Sequence, residues 1–247
     1  MKDLARRLLR KPYHRFVRPI LRVPSNLRKR GFYRPFVGAH RMFFDVGANI
    51  GDRSDCFLSL GVSVVCVEPQ PECVEILRAR FKGKANVTIE AVGLDAEPGE
   101  RVMHLCAEGS VFSTFADHWR TGRFAKMSFD EEVTVPMTTL DALIQKHGMP
   151  DFCKIDVEGL EFPVLSGLHS RIPCLNFEFT QEFFGDAERC IDRLTGLGYQ
   201  EFNYTLRADR HLASDVWMPG SEVKKGLRVL CAQDSVLWGD VYARATA

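Results

Sequence analysis

The chain has 247 residues, 45% hydrophobic and 26% charged, the proportions of a globular protein with room for one full domain. No run approaches the roughly 20 apolar residues that span a bilayer. The eight cysteines are scattered with no C-x-x-C and no Cys/His pair at metal spacing, which argues against a zinc domain or a disulfide scaffold and for a reduced, cytoplasmic protein.

The formal net charge of +1 conceals an asymmetry. Met1 to Arg41 hold thirteen Lys/Arg against one acid, Asp3, so the remaining chain is acidic. Residues 1–40 read as a basic N-terminal arm, and residues 41–247 as one domain. Pro12, Pro19, Pro24 and Pro35 cut any helix in the arm into short pieces. The basic start is not followed by an apolar core, so a secretory signal is not expected. Such an arm is either a solvated segment packed on its own domain or a contact with anionic lipid, a phosphorylated substrate or nucleic acid.

From Phe43 to Glu68 the chain reads FFDVGANIGDRSDCFLSLGVSVVCVE. An apolar run ends in Asp45; glycines 47 and 51 follow, then a helix-like segment, a second apolar run Val62–Val67, and Glu68 at its tip. That order predicts strand, glycine turn, helix and strand, the first half of a nucleotide-binding α/β unit. Pro71–Phe81 has helical spacing, and Asn86–Val92 reads as a third strand. Arg101–Cys106 and Glu132–Met137 read as strands around a loop, Gly109–Asp130, whose Ser110, Ser113, Phe115, Trp119 and Phe124 suit a substrate cover. Thr138–His147 follows as a helix, with Thr138 and Asp141 spaced as a capping box. The spacing then predicts a strand over Asp151–Asp156, a helix over Leu160–His169, strands over Cys174–Thr180 and Glu201–Leu206 around a helix Asp186–Leu197, and a last strand over Arg228–Ala232. Strands alternating with helices imply an α/β fold, a doubly wound Rossmann-like sheet with helices on both faces.

A dinucleotide site wants G-x-G-x-x-G beneath its pyrophosphate. Here Gly47 and Gly51 flank Ala48-Asn49-Ile50, so the cradle is incomplete, and Asp45 sits just before the first glycine. A carboxylate there repels a pyrophosphate and attracts a cationic sulfonium. Glu68, seventeen residues past Gly51, is placed to accept the ribose hydroxyls of an adenosine. The pattern favours S-adenosylmethionine over NAD. An NAD-linked oxidoreductase and a non-catalytic binding module on the same fold remain the alternatives.

FDVGANIGDRS at 44–54 and, more diagnostic, TLDALIQKHGMPDFCKIDVEGLEFPVLSGL at 139–168 resemble the FkbM-type class I methyltransferases over roughly Phe43 to Glu178. The resemblance implies strand order 3-2-1-4-5-7-6 and methyl transfer from S-adenosylmethionine to an oxygen, often a sugar hydroxyl of a glycan or natural product. It also implies that Asp45, Gly47, Asn49 and Gly51 line the methionine part of the cofactor, that Glu68 holds the ribose, and that Gly93, with Glu90 or Asp95, covers the adenine. It is silent on the basic arm.

In that strand order the carboxylates of Asp45, Asp156 and Glu178 cluster at one edge of the sheet. Lys154, on the same face as Asp156, needs a buried partner, with Glu178 as the first expectation. Asp156 is the first candidate for the base or for orienting the acceptor, Glu158 the second, and His118 a further one. Glu158 and Glu161 could instead simply favour a helix N-terminus. No metal is expected, although Asp156 with Glu178 could hold Mg²⁺ through water. Nucleic-acid amino-methylases carry an N/D-P-P-Y/F turn where this chain has IDVEG, which argues against a DNA or RNA base as acceptor.

Overall fold

A computed structural model describes residues 29–106, 109–110, 113–115, 126–129, 131–207 and 211–245. The opening unit forms β1 (Met42–Val46), α1 (Asp52–Leu58) and β2 (Ser63–Val67), followed by α2 (Pro71–Arg80) and β3 (Val87–Glu90). β4 (Gly93–Leu94), β5 (Gly99–Leu105) and β6 (Glu131–Thr138) come next, then α3 (Leu140–His147), β7 (Phe152–Ile155), α4 (Glu161–Ser166) and β8 (Cys174–Thr180). α5 (Phe184–Gly196), β9 (Glu201–Leu206), α6 (Gly220–Gln233) and β10 (Trp238–Arg244) complete the described chain.

Seven strands form one sheet in the order β3-β2-β1-β7-β8-β10-β9. Numbered within that sheet alone, this is the expected 3-2-1-4-5-7-6. β10 runs antiparallel to both neighbours, whereas the other pairings are parallel. The central strands are buried almost throughout, which is why they read as apolar runs broken only by Asp45 in β1, Ser63 in β2 and Lys154 in β7. From β1 the chain winds outward to β3, then restarts at β7 and winds the other way. That reversal opens a crevice at the carboxyl ends of β1 and β7, the place where open α/β sheets bind ligands. A second sheet, β4-β6-β5, packs Met103, Val135 and Met137 against Leu160.

Helices cover both faces. Leu140 and Leu143 of α3, Val164 and Leu165 of α4, Ile191 and Leu194 of α5, and Val223 and Leu227 of α6 fill the larger core. On the opposite face Phe57 of α1 and Leu77 of α2 pack with Phe43 and Phe152. That second core includes residues from the end of the basic stretch. Tyr33 is 2% exposed, and Phe36 stacks on Phe152 with centroids 4.9 Å apart. From Phe32 onward the chain therefore packs with the domain; residues 1–28 lie outside the described residues.

Two expectations are corrected. Arg228–Ala232 is not a strand but the end of α6, where Val223, Leu227 and Cys231 recur at helical spacing and are buried together. The last strand is β10, whose Gly239 and Asp240 interrupt its apolar pattern. Gly239 is needed there, since a Cβ would lie 2.1 Å from the Thr205 carbonyl oxygen. The cap of α3 is Thr139, not Thr138: its side chain accepts from the Ala142 amide at 3.1 Å. Asp141 instead accepts the amides of His169 and Ser170.

Candidate active site

The turn after β1 is held against the turn after β7. Gly47 has φ +75°, and a Cβ on it would fall 1.7 Å from the backbone oxygen of Asp156, so only glycine lets the two strand tips meet. Asn49 adopts the left-handed conformation at φ +50°, which asparagine tolerates better than most side chains. This aims its amide at Glu68 Oε2, 2.7 Å away. The Gln70 amide donates to the other oxygen, Oε1, at 2.9 Å. Glu68 is 2% exposed. Burial pushes it up to about 7, against the lowering effect of those two amides.

A cavity opens over these groups. Its wall includes Gly47, Asn49, Glu68, Gln70 and Gly93 on one side and Asp156, Val157 and Glu158 on the other. Met103, Ser110, Ser113 and Phe115 close it from the β5 side. Ser110 latches that cover: its hydroxyl accepts from Asn49 Nδ2 at 3.0 Å, and its carbonyl accepts from Gln70 Nε2 at 3.0 Å. Thr114 Oγ1 donates to the Glu158 carbonyl at 2.6 Å. The cover is thus tied to both ends of the cavity.

At the far end the sequence Asp156-Val157-Glu158-Gly159 makes a tight turn with Glu158 at φ +52° and Gly159 at φ +102°. A left-handed glutamate is uncommon and is held here by its neighbour. Glu161 accepts the amides of Val157 at 3.0 Å and Gly159 at 3.1 Å, and burial pushes Glu161 up to about 7. Lys154 is 4% exposed, with Nζ 2.8 Å from Asp156 Oδ2 and 4.0 Å from Asp45 Oδ1. Burial works against its charge, but the two carboxylates outweigh that and hold it above the ordinary lysine value. Its partner is Asp156, two residues along the same strand line, and not Glu178 as expected. One oxygen each of Asp156, Glu158 and Glu178 lies within 4.8 Å of the other two. Burial, with Asp156 and Glu158 close by, holds Glu178 well above the usual carboxylate range.

Of the residues singled out from sequence, Gly47, Asn49, Glu68, Gly93, Asp156 and Glu158 line the cavity. Two stand behind its wall. Asp45 is fully buried, bonded to Ser54 Oγ and facing Lys154. Gly51 makes room for α2, since a Cβ there would meet Phe81 and Leu77 at 2.7–2.8 Å. Glu90 and Asp95 turn elsewhere, to Lys146 and His147 and to Arg101. His118, Trp119 and Phe124 lie outside the described residues. Sequence reasoning missed Gln70 and Met103, whose residue types carry no chemical signal. It also missed the task of Glu161, which only its two amide contacts reveal.

The family model described as Methyltransferase FkbM domain matches residues 45–201, the span from the tip of β1 to the start of β9. The chain belongs to the FkbM methyltransferase family. The family match thus contains both ends of the cavity, from Gly47 to Glu158. A curated relative, "Hexuronic acid methyltransferase AglP" of Haloferax volcanii, is 25% identical over 156 residues, 62% of this chain and 60% of the relative's own length. Among solved structures, the precorrin-6y C5,15-methyltransferase of Geobacter metallireducens overlays 88% of this chain and 86% of its own, with 9% identity and a TM-score of 0.47. A TehB-like SAM-dependent methyltransferase of Corynebacterium glutamicum overlays 88% and 87%, with 11% identity and a TM-score of 0.44.

Proposed function

We propose that this FkbM-family chain transfers a methyl group from S-adenosylmethionine to an oxygen, a hydroxyl of a saccharide or glycosylated metabolite. One observation carries the reading. The described wall of the cavity presents the carboxylates of Glu68, Asp156 and Glu158 and no Lys or Arg. An acidic wall suits a sulfonium with an ammonium tail and opposes a pyrophosphate, which disfavours the NAD alternative. Glu68, already fixed by two amides, would accept the ribose hydroxyls, and Gly93, Met103 and Phe115 would flank the adenine.

When bound, S-adenosylmethionine supplies a methyl carbon activated by the sulfonium; its bond to the acceptor oxygen forms as the carbon–sulfur bond breaks and the electron pair stays on sulfur. The chain's own residues then have to align the acceptor and remove its proton. That Asp156 lines the cavity's end supports the reading that its carboxylate takes the hydroxyl proton. Lys154 fixes the orientation of that carboxylate through Oδ2. A saccharide acceptor is supported by the relative's printed substrate, a hexuronic acid.

The test is incubation of the purified protein with methyl-labelled S-adenosylmethionine and a panel of saccharides and glycan extracts. Label in a base-stable methyl ether of a sugar supports the reading. Label confined to protein, nucleic acid or amines, or no transfer at all, would contradict it.

A further inference from the structure

We infer that Glu161 is a positioning residue: its carboxylate clamps the turn after β7 and thereby aims Asp156 into the cavity. The clamp acts on two peptide groups. The first joins Asp156 to Val157. Its N–H donates to Glu161 Oε1 at 3.0 Å, while its oxygen lies so close to Gly47 that a Cβ there would fall 1.7 Å away. The second joins Glu158 to Gly159. Its N–H donates to Glu161 Oε2 at 3.1 Å, and its oxygen accepts from Thr114 Oγ1 at 2.6 Å. Each peptide plane is therefore held from both sides, and one carboxylate serves both N–H groups.

Such a grip has a task in this turn. Glu158 is left-handed at φ +52°, a conformation that persists in a residue other than glycine only when its surroundings over-determine it. Asp156 stands two residues before it, with its side chain fixed by Lys154 at Oδ2 and its backbone by the clamp. A carboxylate offers two oxygens to two amides, whereas a carboxamide offers only one. Beyond the turn Glu161 faces a small cavity that Glu178 of β8 and Asp186 and Cys190 of α5 also line, with no Lys or Arg among the described lining residues. Burial pushes Glu161 up to about 7, against the pull of the two amides and with Asp156 adding to the rise. As pH falls through about 7 the carboxylate takes up a proton, one amide loses its acceptor, and the turn loosens.

The effect on turnover rests on the proposed methyl transfer; the clamp itself is read without that reaction. In nuclear magnetic resonance spectra of the full-length ¹⁵N-labelled protein, with no ligand added, the Val157 and Gly159 amide signals should move together with pH, with one midpoint near 7. The Asn49 and Gln70 amides report Glu68 and separate its titration from this one. Glu161→Gln should abolish the movement at Val157 and Gly159. In the same variant kcat at saturating donor should fall by up to about 10²-fold, the effect of misplacing a reacting group by about 1 Å. Donor affinity by calorimetry should stay nearly unchanged, a split that a general loss of structure would not produce. Val157 and Gly159 amides that ignore pH through this range would overturn the clamp, and that result needs no variant to fold. Unchanged kcat in folded Glu161→Gln, or equal losses of kcat and donor affinity, would overturn the positioning role. Absence of methyl transfer by the wild-type protein would refute the methyl-transfer reading alone and leave the amide titration to decide the clamp.

Discussion

The two ends of the cavity solve opposite electrostatic problems. At the β2 end one carboxylate, Glu68, is nearly sealed from water and has each oxygen occupied by a backbone amide, one from the turn after β1 and one from the turn after β2. At the β7 end Asp156, Glu158 and Glu178 crowd together, with Lys154 on one of them and Glu161 spent on shaping the turn. The first arrangement is preorganised to hold something still. The second concentrates charge where the proposed transfer would move it, and a carboxyl held as high as that of Glu178 is the kind of group that collects at reaction sites. Binding and chemistry should therefore separate cleanly when each end is altered.

The largest effect is expected at the β7 end. Asp156→Asn keeps the shape and removes the proposed base, so turnover should fall about 10²–10⁴-fold while donor affinity by calorimetry stays within a few-fold. Equal losses of turnover and affinity would erase the distinction between the ends. Lys154→Met tests what holds the cluster together. It leaves Asp45 and Asp156 facing each other at a largely buried position, and denaturant unfolding should show a loss of about 3–5 kcal/mol, the cost of breaking a buried pair.

At the β2 end the expected changes are smaller and fall on affinity. Glu68→Gln should weaken donor binding by about 1.5–3 kcal/mol, the worth of hydrogen bonds to a charged group, with kcat at saturating donor little changed. The same residue predicts a pH dependence. Its folded value is raised, from 4.5 to about 7, so below about pH 7 it takes up a proton and can no longer accept both ribose hydroxyls. Donor affinity should fall with decreasing pH, by up to about tenfold per unit, and Glu68→Gln should flatten that slope. The sign for stability is the reverse. The folded state binds this proton more tightly than the unfolded chain, so the Glu68 contribution stabilises the unliganded fold as pH drops from about 7 toward 4.5. Away from both ends, Thr139→Ala removes only a helix cap, and should cost about 1 kcal/mol of stability with no change in donor affinity.

The sheet was legible because its parallel strands are covered on both faces, and burial of that kind leaves largely apolar runs such as Val62–Val67. β10 escaped because Gly239 and Asp240 break its apolar pattern near the start, while the apolar RVLCA run imitated it from inside a helix. At the site, Glu68 and Asp156 could be found from their place at strand tips. Glycines were harder to assign. Gly47 and Gly51 both belong to the opening motif, yet one serves the contact with the β7 turn and the other serves α2. Which carboxylate Lys154 chooses depends on side-chain reach within one strand line, about which spacing says nothing. The latch of Ser110 to Asn49 and Gln70 joins positions 61 and 40 residues apart and has no local signature at all.

Calorimetry of the purified protein with S-adenosylmethionine, S-adenosylhomocysteine and NAD tests the central claim most directly. Saturable binding of the first two to one site, weakened by Glu68→Gln, is expected, and none of NAD. Binding of NAD alone, or of none of the three, would contradict it.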